Sequence, residues 1–175
     1  MSVMVKETGG DYEHPPVGMQ NAICCRVFDL GQQPGFQGKV QHKVLIMWEL
    51  EERKQKGEWA GKRFLVSRRY TASLNEKATL RKDLESWRSK GFTADELDGF
   101  DLEVVVGKGC TLNLVENENN GRTYINVAAV LPKMKAADDL EVETPEDYTP
   151  DWVLELMEAG ATLPANDVND DDIPF

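Results

Sequence analysis

Apolar and polar positions alternate along the chain in a way that predicts five strands and one long helix. "MQNAICCRVFDL" (19–30) is rich in residues that suit a pleated surface. "VQHKVLIMWEL" (40–50) is apolar almost without a break and reads as a largely buried strand. "RFLVSRRYTAS" (63–73) puts Phe64 and Val66 on one face and Arg63, Ser67 and Arg69 on the other. "LEVVVGKGCTLNLVEN" (102–117) is the fourth strand, with Gly107 and Gly109 as break points, and "TYINVAAVLP" (123–132) is the fifth. The connections are the Gly- and Pro-punctuated loop 31–39, the polar turn 51–62 with Gly57 and Gly61, and an Asn-Gly turn at 118–122.

The helix falls between the third and fourth strands. Ser73 and Glu76 have the spacing of a capping box, and Leu80, Leu84 and Trp87 recur at i, i+4, i+7 as one apolar stripe. Lys90-Gly91 offers a basic last turn and a left-handed stop, and Thr93 to Leu97 repeats the cap spacing for one short turn. Strand, strand, strand, helix, strand, strand is the order of an OB-fold, a five-stranded Greek-key barrel. An open five-stranded sheet with one helix would give the same string. The predicted class is therefore mainly β: an OB-fold barrel over 19–135, preceded by an irregular arm (1–18) and followed by an acidic, largely disordered tail (136–175). Within that tail, Thr149-Pro150-Asp151-Trp152 resembles a helix start with Pro at the first position, which predicts a short helix over 150–159 that docks or stays transient.

Charge changes the picture once it is divided by position. The formal net charge is −11. Thirteen of the 31 acidic residues lie between Asp138 and Asp172, beyond Lys135, the last base; the 18 that remain against 20 bases leave residues 1–135 at +2. A mildly basic body carrying a block of acids predicts a nucleic-acid-binding domain with an interaction tail. The same split predicts that the tail folds over the basic groove when DNA is absent.

Cys24 and Cys25 are adjacent and Cys110 is distant, a poor disulfide framework that fits a reducing compartment. With His14 and His42 they show no zinc-type spacing, so neither a metal nor a cofactor is expected. No apolar run reaches the length of a membrane span, and "MSVMVKETGG" lacks the apolar region of a secretory signal. A soluble protein of the cell interior is expected, with no membrane partner.

Basic and aromatic residues interleave where the binding face would form. Phe36 and Lys39 lie in the first loop, and Lys43 begins the second strand. Trp59, Lys62, Arg63, Arg68, Arg69 and Tyr70 surround the third, and Arg122 and Tyr124 flank the last turn. Single-strand binding without sequence preference uses this mixture, with cations along the phosphates and rings under the bases. Phe28, Trp48 and Phe64 read as core, whereas Trp59 sits in a polar loop where burial is harder. Arg63 and Arg69 on one strand face fit a phosphate track and a solvated face equally well. Catalytic signals are weaker. Gly107-Lys108-Gly109 lacks phosphate-loop spacing, and no Ser/His/Asp set forms. Glu52 and Lys54, with Asp29 as partner carboxylate, form a triplet of the metal-dependent nuclease type, an alternative that a chain this charged can generate by chance.

The final residues, Asp170-Asp171-Asp172-Ile173-Pro174-Phe175, resemble the acidic tip of bacterial single-stranded-DNA-binding proteins. That resemblance implies a partner-binding tip that recruits replication, recombination and repair proteins, with Phe175 for a pocket and the aspartates for a basic rim. The body is similar instead to a family of bacteriophage-encoded OB-fold single-stranded-DNA-binding proteins. The similarity runs over about 17–132 through "FDLGQQPGFQGK", "SLNEKATLRKDLESWRSKGFT" and "GFDLEVVVGKGCTLNLV", with Gly109 where that family's pattern has Pro. It implies a non-catalytic protein that coats single-stranded DNA during phage replication, recombination or repair in the cytoplasm of an infected bacterium. The alternative is a phage protein that occupies host enzymes through the tip. Homo-oligomerisation stays open.

Overall fold

The structure, a computed structural model, describes residues 13–162. Most of the N-terminal arm and the tip Asp170–Phe175 lie outside the described residues. Five strands form one antiparallel sheet: β1 (Gly18–Pro34), β2 (Val40–Arg53), β3 (Arg63–Thr71), β4 (Gly109–Asn119) and β5 (Arg122–Pro132). Their hydrogen-bonded order is β3-β2-β1-β4-β5. Helices α1 (Thr79–Arg88) and α2 (Ala94–Asp98) lie between β3 and β4, and α3 (Asp151–Thr162) follows β5. The architecture is mainly β. Among the described residues no ladder joins the edge strands β3 and β5, although α1 touches both and the Arg68 Nη1 donates to the Ala128 carbonyl at 3.4 Å.

Strand β2 explains why its sequence is apolar almost without a break: both of its faces are covered. Val44, Ile46, Trp48 and Leu50 point into the larger core, with Leu80, Leu84 and Trp87 of α1 and Leu112, Leu114 and Val130 of β4 and β5. Trp48 is fully buried, and its ring centroid lies 6.0 Å from that of Trp87, whose Nε1 donates to the Gly109 carbonyl. On the opposite face Leu45 and Met47 join Cys25, Phe28 and Leu30 under Val153 and Leu156 of α3. Strand alternation places Cys24 and Cys25 in opposite cores, and the bulge between Cys24 and Arg26 reverses the alternation, so that Phe28 and Leu30 share the face of Cys25. All three cysteines are free and buried.

Local chemistry departs from the sequence expectations at four places. Ser73 does not cap α1. Its hydroxyl accepts from the Asn75 N–H at 3.1 Å and closes a turn, and the helix begins at Thr79 without a side-chain cap. The left-handed stop is Ser89 (φ 56°) rather than Gly91, because the Lys90 N–H already returns to the Glu85 carbonyl. Residues Leu102–Val105 form a 3-10 turn capped by Asp101, and β4 starts only at Gly109. The cause is Gly107, at φ 85°, whose N–H bonds to Cys24 beside the Cys24 N–H···Lys108 carbonyl bond. The fourth is the tail: residues 138–162 pack against the sheet. The second cap is as expected, since Thr93 and Glu96 form a reciprocal capping box on α2.

Helix α3 seats on β1 through Gly160. The Gln33 Nε2 donates to the carbonyls of Leu30 and Leu156, which ties helix to strand. A Cβ at position 160 would lie 2.1 Å from the Leu30 carbonyl oxygen and 2.7 Å from the Gln33 Nε2. Gly160→Ala is therefore expected to cost about 1–3 kcal/mol, the range of a forced overpacking. Urea denaturation would read it as a lower midpoint, with faster amide exchange across α3.

Candidate nucleic-acid interface

Where β2 begins and β3 ends, antiparallel register puts Lys43 opposite Thr71 and Arg69 opposite Leu45, so both cations occupy the face that α3 covers further along. They border a cleft of about 390 Å³ lined also by Gln41, Thr71, Asn75 and Lys77 and by the start of α1 at Ala78 and Thr79. None of the lining residues is acidic. The Lys43 Nζ donates to the Thr71 Oγ1 at 2.7 Å. Loss of solvent, and then the positive charge of Arg69, push the Lys43 pKa down. Two like charges held together without a carboxylate between them favour an anion. The uncapped N-terminus of α1 adds the positive end of a helix dipole.

The chain holds eight arginines, and most are already occupied. Arg68 donates to Asp83 at 3.0 Å, Arg81 to Glu85 at 2.7 Å, and Arg88 to both oxygens of Glu96 at 2.8 and 2.7 Å. Arg26, Arg53 and Arg63 are held by the segment that follows β5. Among the described residues, Arg69 and Arg122 are the two that no carboxylate or carbonyl engages.

That segment runs back across β1, β2 and β3 as a strap. The Asn21 Nδ2 donates to the Asp138 carbonyl, and Lys133 pairs with Asp139 at 3.1 Å. Arg63 donates to the Glu141 carbonyl at 2.6 Å, Arg53 grips both oxygens of Glu143 at 2.9 and 2.6 Å, and Arg26 donates to the Glu146 carbonyl. Beneath them lies Glu49, 1% exposed, paired with Arg63 at 3.0 Å and accepting the N–H groups of Glu143 and Thr144.

The eleven residues expected at the interface thus divide. Lys43, Arg68, Arg69 and Tyr70 meet at the cleft, but not in the same role. Tyr70 is only 2% exposed, part of the larger core, and its hydroxyl donates to Asp83 at 2.6 Å, so its ring is not a stacking platform. Arg68 packs over that ring and is tied to Asp83. Arg63, with a side chain 11% exposed, is a structural clamp on Glu49 and the strap rather than part of a phosphate track. Phe36 and Lys39 lie in the β1–β2 connection, and Lys39 is outside the cleft lining. Trp59, 59% exposed, and Lys62 stand on the β2–β3 hairpin, at the other end of the ladder from Lys43. Arg122 and Tyr124 flank the β4–β5 turn, where Asn120 and Gly121 take positive φ. The nuclease triplet does not assemble. Asp29 pairs with Val44 in register, eight residues from Glu52 along β2, or roughly 26 Å. Asp29 instead bonds His42 at 2.6 Å, and Lys54 lies over the Phe64 ring. Among the described residues no group of three His, Cys, Asp or Glu could hold a metal ion.

Sequence reasoning missed the strap residues Glu141, Glu143 and Glu146, and with them Asp83 and Lys77. One signal for the strap was present: Val153, Leu156 and Gly160 recur at i, i+3, i+7, a stripe that needs a surface to cover.

The grip on Glu143 makes the strap sensitive to acid. Hydrogen bonds from Arg53, with the charge of Arg63, hold the Glu143 carboxyl below the usual carboxylate range. A lowered folded-state value means that the contribution is present in full above the unfolded value and is lost as pH falls through the folded one. Amide exchange at Glu143 and Thr144 should therefore accelerate below about pH 4 relative to the β4–β5 core. Glu143→Gln should remove most of that pH dependence.

No protein-family model and no curated protein matches the chain.

Proposed function

We propose that this protein binds single-stranded DNA without sequence preference and without catalysis. The observation that carries the reading is the acid-free cleft in which Lys43 and Arg69 stand diagonally across the β2–β3 ladder beside the open start of α1. We read the sheet as an OB-type barrel left open between β3 and β5. The order β3-β2-β1-β4-β5, with α1 inserted between β3 and β4, supports that reading. OB-folds use the face of strands 2 and 3 with the first and last hairpin loops. Here the strap and α3 occupy much of that face, so phosphates are met at its uncovered end, by Lys43, Arg69 and Lys77. The exposed rings of Trp59 and Tyr124 and the open charges of Lys62 and Arg122 extend the surface to the two hairpins. Lys39, two residues before Gln41 of the cleft lining, carries the surface toward the β1–β2 connection.

We take the resemblance read in residues 17–132 to phage single-strand-binding proteins as a second support, and infer a role in phage replication or recombination inside a bacterial host. The tip Asp170–Phe175, by its resemblance to the bacterial motif, would recruit DNA-processing proteins.

Titration of intrinsic tryptophan fluorescence with oligo(dT) at several salt concentrations tests the proposal. Binding should prefer single strands over duplex and weaken as salt rises, because bound counterions are released. Lys43→Glu with Arg69→Glu should lower the slope of log affinity against log salt by about 2, one for each phosphate contact. Trp59→Ala should cost about 1–3 kcal/mol if its ring stacks on a base. Equal affinity for duplex and single strands, or a slope untouched by the double substitution, would refute the reading.

A further inference from the structure

The two ends of α1 open onto clefts of different chemistry. At the C-terminal end, about 490 Å³ of space lies between α1, α2 and the Leu102–Val105 turn, lined by Leu84, Trp87, Phe100 and Val104 with Lys90 and Lys108. The floor is apolar, yet Val104 keeps 52% of its surface exposed. An open valine beside an aromatic ring leaves apolar area for another side chain to cover. The lining carboxylate, Glu96, is fully engaged: Arg88 holds both of its oxygens, and its pKa is held down at about 2 by that bond. Neither Lys90 nor Lys108 pairs with a carboxylate among the described residues. Apolar floor and unopposed basic rim fit one kind of ligand, an acidic segment that carries large apolar side chains.

The chain contains such a segment outside the described residues. We propose that Asp170–Phe175 docks in this cleft of its own chain, with Ile173 and Phe175 over Val104 and Phe100 and the aspartates facing Lys90 and Lys108. Reach is sufficient. Helix α3 ends at Thr162 with Gly160 seated on Leu30, and 13 residues separate Thr162 from Phe175, up to about 43 Å of extended chain. From Leu30 back to Cys24, whose N–H bonds the Lys108 carbonyl, is six residues of β1, roughly 20 Å. The Lys43–Arg69 cleft offers charge to the same segment, but its aromatic residue, Tyr70, is buried and offers no open apolar surface. About 15 Å of helix separates the two clefts, so a tip held at the C-terminal end of α1 leaves the Lys43 cleft free. The proposal does not rest on DNA binding.

Methyl-resolved NMR of the full-length protein tests it. The Val104 and Val105 methyl signals should move when Phe175→Ala is introduced, with the circular dichroism spectrum unchanged and the thermal unfolding midpoint no higher than wild type. A synthetic peptide of residues 169–175, added to the Phe175→Ala protein, should return those signals toward their original positions in a saturable titration. Lys90→Glu with Lys108→Glu, placed in the same protein, should weaken the peptide by about tenfold, the loss of two exposed ion pairs. Three results would overturn the proposal. The signals fail to respond to Phe175→Ala; the peptide shifts Ala78 and Thr79 at the Lys43 cleft instead; or the wild-type shifts grow with protein concentration, which assigns the site to the tip of a second copy. Oligo(dT) titration of the Lys90→Glu, Lys108→Glu protein keeps the two readings apart, because its DNA affinity should stay within about twofold of wild type if the clefts are separate.

Discussion

A carboxylate with 1% of its surface exposed has to be matched at both oxygens, and Glu49 is matched by groups from two distant parts of the chain. Arg63 arrives from the neighbouring strand, and the N–H groups of Glu143 and Thr144 arrive from beyond β5. The sheet alone cannot complete that face of β2. Leu45 and Met47, on the same face, need an apolar cover as well, and α3 provides it with Val153 and Leu156. The most acidic part of the chain is therefore partly architectural. Its backbone satisfies one buried acid, its side chains engage the arginines around it, and its helix closes the second core.

That architecture decides which cations remain open to a ligand. A strand face bearing Arg63, Ser67 and Arg69 has the spacing of a continuous basic track, but the strap divides it. Arg63 falls under the strap and is nearly buried, while Arg69 stays outside and shares the cleft with Lys43. Arg68 lines the same cleft, but Asp83 across the β3–α1 joint already meets its charge. Coverage by the chain itself, more than the number of basic residues, sets the shape of the candidate site.

Four strands were legible nearly whole, and β4 only from Gly109 on, because apolar periodicity reports burial directly. The stripe Leu80, Leu84, Trp87 identified α1, and the Asn-Gly pair identified the last hairpin, since each depends on neighbours close in sequence. Helix ends were less legible. Ser73 had two competing local bonds and took the shorter one, a turn to Asn75 that no spacing rule separates from a cap. The candidate site was legible only in part, for a physical reason: exposure depends on tertiary contacts, with Asp83 reaching Tyr70 from 13 residues away and Glu141 reaching Arg63 from 78. Tyr70 and Arg63 have the composition of a binding surface, but Asp83 and Glu143 turn them into structural groups. The double burial of β2 was visible as an unbroken apolar run. What would cover its second face was not, because the covering stripe lies inside a segment whose charge suggests disorder.

Net charge misleads in this molecule at two levels. Divided along the chain, −11 becomes a body at +2 and an acidic remainder. Divided again in space, part of that remainder neutralises arginines on the strap side, while the cleft of Lys43 and Arg69 has no acid in its lining. Fields from exposed charges decay over about 8–10 Å at ordinary ionic strength, so a phosphate near the cleft feels the cations beside it far more than the distant acids. At low salt the acids reach further and oppose the approach of any polyanion, while the cleft's own attraction is strongest. A protein that is acidic overall can thus remain basic at one place. The strap makes that place local and directional, since it holds acids on one side of the sheet face and leaves cations at the other end.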